Sequence, residues 1–184
     1  MASNPLFRCA AMLGIMGWLA IGVAALGLGA CSGAPATAVK EPVKLRLRVV
    51  ASEGVNPNEW GVASPVLVRI YELKSAAAFS NADFFTLQDH DRKAIGDDVL
   101  AIDEFILRPG EERDIERESH RAATAIGVLA GYRELGKSVW RGIYRLPPRP
   151  DAAWYRITIP VQRQNLTVRL GRRAVSIYQS DQSR

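Results

Sequence analysis

Reactive and metal-binding side chains are scarce in this 184-residue chain, which holds two cysteines and two histidines. Cys9 and Cys31 bracket one apolar run, so they form no zinc-type cluster and are poor disulfide candidates. A Walker loop and a dinucleotide fingerprint are also missing, which leaves nucleotide chemistry without a motif. The net charge of +5 is too small to argue for nucleic acid. His90 sits in Gln88-Asp89-His90-Asp91, where no second His or Cys stands at ligand spacing. A solvated polar link is the better reading, and no metal is expected. His120 falls in the dense mixed-charge stretch Glu111 to Arg121, which reads as a solvated edge strand. A serine nucleophile would need a histidine partner, and nothing selects one. The chain is therefore expected to be no enzyme, with no cofactor and no small-molecule substrate.

What is present begins with an address. Arg8 precedes an uncharged run from Cys9 to Cys31, CAAMLGIMGWLAIGVAALGLGAC. A cation, an apolar stretch and small closing residues make a secretory signal. The run is also long enough for a membrane span. Against a span stand Gly14, Gly17, Gly22, Gly27 and Gly29, and the lack of a cation before Lys40. Stop-transfer segments carry cations near their cytoplasmic end. The run closes on Leu28-Gly29-Ala30-Cys31, which resembles the lipobox of bacterial lipoproteins. In a lipobox the Cys thiolate takes diacylglycerol, and small residues let the backbone enter the peptidase that cuts before it. Residues 1–30 are then a removed signal, and the covalent lipid on Cys31 is the only attached group. With Cys9 lost and Cys31 modified, no free thiol remains, which suits an oxidising compartment. Each buried CH₂ contributes about 0.8 kcal/mol, so two or more acyl chains anchor stably. The lipobox resemblance brings a sorting convention of enteric-type lipoproteins, in which Asp beside the Cys favours inner-membrane retention, and Ser32 is compatible with export to the outer membrane. Ser32 to Pro42, SGAPATAVKEP, reads as a flexible tether.

The folded domain is expected over 43–184. VKLRLRVVA alternates, with Val43, Leu45, Leu47 and Val49 on one face and Lys44, Arg46 and Arg48 on the other. That is a half-buried strand. Pro65 to Leu73 is strand-like on both faces. Residues from Ser75 to about 95 lose the alternation; one or two short helices are expected to Leu87, then a polar link. Strand signals resume at Ala101–Leu107, Glu112–Glu118 (an edge strand) and Ala123–Ala130, where Gly127 marks a bulge or close approach. They continue at Val139–Leu146, Trp154–Gln162, Asn165–Leu170 and Arg173–Gln179. Eight or nine short strands with frequent turns predict an all-β sandwich with a small helical insertion.

Four stretches carry a family resemblance. Ser64 to Asp89, SPVLVRIYELKSAAAFSNADFFTLQD, resembles the TssJ (SciN-like) lipoproteins of the type VI secretion system. So do Asp103–Ile115 (DEFILRPGEERDI), Ile126–Leu135 (IGVLAGYREL) and Trp140–Pro148 (WRGIYRLPP). The resemblance implies a transthyretin-like two-sheet β-sandwich with a short helical insertion. It implies an outer-membrane anchor of a trans-envelope complex, bound to the periplasmic C-terminal region of the inner-membrane protein TssM. It also implies that the loop between the first two strands makes that contact. Transthyretin-like folds include hydroxyisourate hydrolases, but their Tyr-Arg-Gly-Ser ending is absent here, and fold alone does not give function.

The loop in question is Ser52 to Ser64, SEGVNPNEWGVAS, and its candidate binding residues are Asn56, Pro57, Asn58, Glu59 and Trp60. Trp is enriched at interface hot spots, so Trp60 is either a partner anchor or a side chain folded back onto the core. Asn56-Pro57-Asn58 is better read as shaping the turn than as touching a partner. Charge is uneven: from Arg133 onward eleven Lys or Arg face three acids, against twelve and sixteen from Cys31 to Tyr132. A basic surface toward lipid headgroups or an acidic partner follows only if folding keeps the halves apart. The rival reading is a periplasmic carrier holding a small apolar ligand between its sheets.

Overall fold

The computed structural model describes residues 43–149 and 162–180, apart from the side chains of residues 90–92. The signal, the lipobox with Cys31, the tether and nearly all of the Trp154–Gln162 strand lie outside the described residues, as does the His90 side chain.

Among the described residues eight strands form two four-stranded sheets. They are β1 (Val43–Ala51), β2 (Val66–Leu73), β3 (Val99–Leu107), β4 (Glu112–Ser119), β5 (Ala125–Gly131), β6 (Arg141–Arg145), β7 (Gln162–Leu170) and β8 (Val175–Gln179). The first sheet runs β4-β1-β7-β8 and the second β3-β2-β5-β6. The alternation in β1 sets the pleat. Leu45, Leu47 and Val49 are at most 1% exposed, while the outward Arg46 and Arg48 pair with Glu116 at 2.6 Å and Glu112 at 2.5 Å on β4. Among the described residues β4 is an edge strand, as expected: a strand this charged stays soluble with one side unpaired. β1 pairs in parallel with β7, Leu47 beside Leu166 and Val49 beside Val168. That pairing carries β7 from Gln162 through the polar Arg163-Gln164, where alternation alone placed a break. β6 is shorter than expected, because Val139 makes only an isolated bridge to Ala174.

Two apolar clusters stabilise the fold. Between the sheets lie Leu45, Leu47, Val49, Val68, Ile70, Val128 and Val168 with their neighbours. Each such side chain contributes about 1.5–3 kcal/mol when fully buried. The second cluster is on the outer face of the β2–β5 sheet, where Tyr71, Leu73, Ala125 and Leu129 meet Phe79, Phe84 and Leu87 of the insertion.

The insertion consists of α1 (Ala77–Asn81) and α2 (Phe84–Ala94). It replaces the expected polar link after Leu87, because α2 continues to Ala94. Asp83 starts it: its carboxylate accepts the Thr86 N–H at 2.9 Å and the Thr86 hydroxyl at 2.5 Å. Phe84 and Leu87, three apart, then fix one face inward, and the polar segment that follows ends on the good helix formers Arg92, Lys93 and Ala94. The close approach expected at Gly127 is real: a Cβ there would lie 2.8 Å from the Phe79 ring. Arg141 of β6 ties the insertion down, donating to the carbonyls of Phe79 at 2.9 Å and Ala82 at 2.8 Å.

One end of the interior is polar. Glu72, on β2, is 1% exposed and accepts from Arg117 Nε at 2.5 Å, the Ser119 hydroxyl at 3.2 Å and the His120 N–H at 2.8 Å. Arg117 also reaches Asp103 at 2.5 Å. His120 itself stands exposed just after β4, its Nδ1 accepting the Ala122 N–H at 3.1 Å.

Candidate functional site

The β1–β2 loop is a built structure. Asn56 is its keystone, 3% exposed and in the left-handed region at φ 48°. Asn tolerates that backbone better than most residues, because its side chain bonds locally. Here its Nδ2 donates to the Pro65 carbonyl at 2.7 Å, and its Oδ1 accepts the Arg133 N–H at 2.8 Å. Its own N–H donates to the Arg172 carbonyl at 3.1 Å. One side chain thus joins the loop to the β5–β6 connection, and its backbone joins the β7–β8 turn. Beside it Pro57 is buried.

Asn58 builds the tip. Its Oδ1 accepts from the backbone of Trp60 at 3.1 Å and of Val62 at 2.9 Å. Its own N–H donates to the Val62 carbonyl at 2.9 Å, and its carbonyl accepts the Gly61 N–H at 3.0 Å. Gly61, at φ 78°, makes the turn. These bonds close the backbone from Asn58 to Val62 into a tight projection and turn the next side chains outward. Glu59 is exposed, Trp60 is 78% exposed and Val62 is 60% exposed.

The five candidate residues therefore separate into two kinds. Asn56, Pro57 and Asn58 shape the loop, as the turn reading held. Glu59 and Trp60 are presented at its tip, and Trp60 does not fold back onto the core. Val62 was missed; its signal is an apolar side chain in a turn-rich segment without strand alternation. The adjoining Tyr132 hydroxyl is pushed upward in pKa by burial and donates to the Gly171 carbonyl at 3.2 Å, so it serves as a donor that holds two turns together.

The loop's place in the sandwich is fixed by register. β1 ends at Ala51 beside Leu170, and β2 starts at Val66 beside Leu107. The β3–β4, β5–β6 and β7–β8 connections share that end. β1 begins at Val43, at the other end, paired with Ser119. A nine-residue strand at about 3.3 Å per residue separates the two ends by about 30 Å.

A family model described as type VI secretion lipoprotein (VasD, EvfM, TssJ) matches residues 43–173. The chain belongs to that family. Its fold is similar to the T6SS lipoprotein TssJ1 from Pseudomonas aeruginosa, at 34% identity and TM-score 0.67, covering 76% of this chain and 98% of that one. It is similar to Serratia marcescens Lip, a membrane bound component of the type VI secretion system. There the identity is 26%, the TM-score 0.64 and the coverage 78% and 99%. A chain in the structure of the T6SS protein TssM C-terminal domain from EAEC shares the fold at 23% identity and TM-score 0.55, covering 73% and 97%. No curated protein matches significantly. The two-sheet sandwich with its helical insertion is thus the fold of TssJ lipoproteins, and the family is a lipoprotein component of type VI secretion.

Proposed function

We propose that this TssJ-family lipoprotein is a tethered adaptor of the type VI membrane complex, anchored in the outer membrane by lipids on Cys31. Through the tip of the β1–β2 loop it binds the periplasmic region of the inner-membrane TssM protein. It carries out no reaction. The observation that supports this best is Trp60, 78% exposed on a projection whose backbone Asn56 and Asn58 hold in place. Ordering a floppy loop costs affinity, and a pre-formed tip avoids that cost. A large aromatic ring kept in water has no folding benefit to explain it, whereas Trp anchors are enriched at interface hot spots. The geometry also suits an adaptor. The chain from Cys31 arrives at Val43, and the tip lies at the far end of β1, so membrane and partner would be engaged at opposite ends.

The rival carrier needs open space between the sheets. That space is filled by Leu45, Leu47, Val68, Ile70, Val128 and Val168, each at most 1% exposed.

Fractionation and co-purification test the proposal together. Wild type should sediment with the outer membrane and retain the TssM periplasmic region. A Cys31→Ser chain should leave the outer-membrane fraction while still binding TssM. Outer-membrane retention of that variant would overturn the anchor, and failure of wild type to bind TssM would overturn the adaptor.

A further inference from the structure

At the end of the sandwich where β1 begins, a cleft of about 480 Å³ opens between α1 and the adjoining ends of β5 and β6. Lys74 and Arg145 line it together with Ser75, Ser80 and Thr124, and no acidic residue is among its described lining. Both cations are exposed, and neither has an ion-pair partner among the described residues. This contrasts with Arg46, Arg48, Arg117 and Arg173, each paired with a carboxylate. The Ser75 hydroxyl accepts the Ala77 N–H at 3.2 Å, which leaves its O–H free to donate into the cleft. Ala76, Ala77 and Leu146 complete the wall.

The cleft's position follows from the pairings. Val43 opposes Ser119, Ser119 bonds to Glu72, and the next β2 residue, Leu73, opposes Ala125, which opposes Arg145. Lys74 and Arg145 therefore lie at the end where the tether joins the domain. Cys31 is twelve residues before Val43. Twelve residues reach at most about 3.3–3.6 Å each. That length would hold this end close to the surface in which Cys31 is acylated.

We infer that this cleft docks on the leaflet that holds the Cys31 lipid, with Lys74, Arg145 and the Ser75 hydroxyl receiving the phosphate of an anionic glycerophospholipid headgroup. The inference rests on the Cys31 anchor. It adds an orientation: with the Lys74–Arg145 end on the membrane, the Trp60 tip points away from it. Each cation near an anionic surface contributes about fivefold to the docked-to-undocked ratio, so the pair contributes about 30-fold.

The test uses the mature lipoprotein in vesicles of phosphatidylcholine, with and without phosphatidylglycerol, read by amide hydrogen exchange. Exchange over residues 74–80 should slow when phosphatidylglycerol is present and return when salt is raised. A Lys74→Gln/Arg145→Gln protein should lose this protection while its β5 amides stay protected, which reports an intact fold. If the double variant does not fold, Lys74→Gln alone should lose about fivefold of the protection. Equal exchange in the two vesicle types would overturn the inference. So would equal protection by inorganic phosphate in detergent, which would make the cleft a small-anion site. The mass of the N-terminal peptide reports acylation of Cys31 separately. An unacylated peptide overturns the anchor, and the same vesicles added to the full chain then decide the cleft on their own.

Discussion

The side chain of Asn56 and the backbone of Arg133, 77 residues apart in sequence, are joined by a 2.8 Å hydrogen bond that fastens the β1–β2 loop to the β5–β6 connection. The other half of the same amide holds the Pro65 carbonyl at 2.7 Å. Replacing Asn56 by Ala leaves both partners unpaired in a part-buried site and puts an unfavourable residue at φ 48°. Each orphaned group costs about 1–3 kcal/mol. Asn56→Ala should lower the denaturation midpoint by the equivalent of about 2–4 kcal/mol and weaken TssM binding, because the tip loses its support. Chemical denaturation and a binding titration on the same sample check both effects.

Trp60 should behave in the opposite way. Its ring is 78% exposed, so Trp60→Ala should change stability by no more than about 0.5 kcal/mol. Partner affinity should fall by about 2 kcal/mol or more, the hot-spot range, which is about 30-fold. Val62→Ser should give a smaller loss with the same unchanged melting curve.

The Glu72–Arg117 pair closes one end of the interior. Glu72→Ala would strand the Arg117 guanidinium beside Asp103 alone and leave the Ser119 hydroxyl and His120 N–H without their acceptor. Breaking a buried pair costs about 3–5 kcal/mol, so this change should be the most destabilising polar substitution in the domain, read by denaturant unfolding.

Asp83 supplies a pH dependence. Its hydrogen bonds from Thr86 hold its pKa below the ordinary carboxylate value. A lowered folded-state pKa means that the contribution to helix stability is present above the ordinary value and lost as pH falls through the folded one. The Thr86 and Leu87 amides at the start of α2 should exchange faster, relative to β5 amides, as pH drops below about 4. An Asp83→Asn protein should show no such step.

The sequence made some of these features legible and not others. Strict alternation in Val43–Val49 gave the face and burial of β1, and the charge of Glu112–Glu118 gave the edge position of β4. Both signals depend only on local period and solvation. Gly127 was legible as a close approach, though not the Phe79 ring that requires it. The continuity of β7 was hidden, since Arg163-Gln164 becomes strand only by pairing in parallel with a segment about 120 residues earlier. α2 past Leu87 was hidden for a related reason: its polar last turns carry no apolar stripe and rest on a capped, packed first turn. In the loop, the turn-shaping role of Asn56 and Asn58 followed from residue type. Which residues the tip exposes depended on Asn58's bonds within the loop and on Asn56's bonds to two other connections, and that is why Val62 escaped notice and Trp60 stayed undecided.

The most direct measurement of the central claim is a calorimetric titration of the mature protein with the purified TssM periplasmic region. It should compare wild type with a protein whose Glu59–Val62 tip is replaced by Gly and Ser. Asn56, Pro57 and Asn58 are kept, so the loop's supports remain. The account predicts saturable binding by wild type, loss of about 30-fold or more in the tip variant, and superimposable unfolding curves. Equal affinity in the two proteins would contradict it, by moving the interface off the β1–β2 loop.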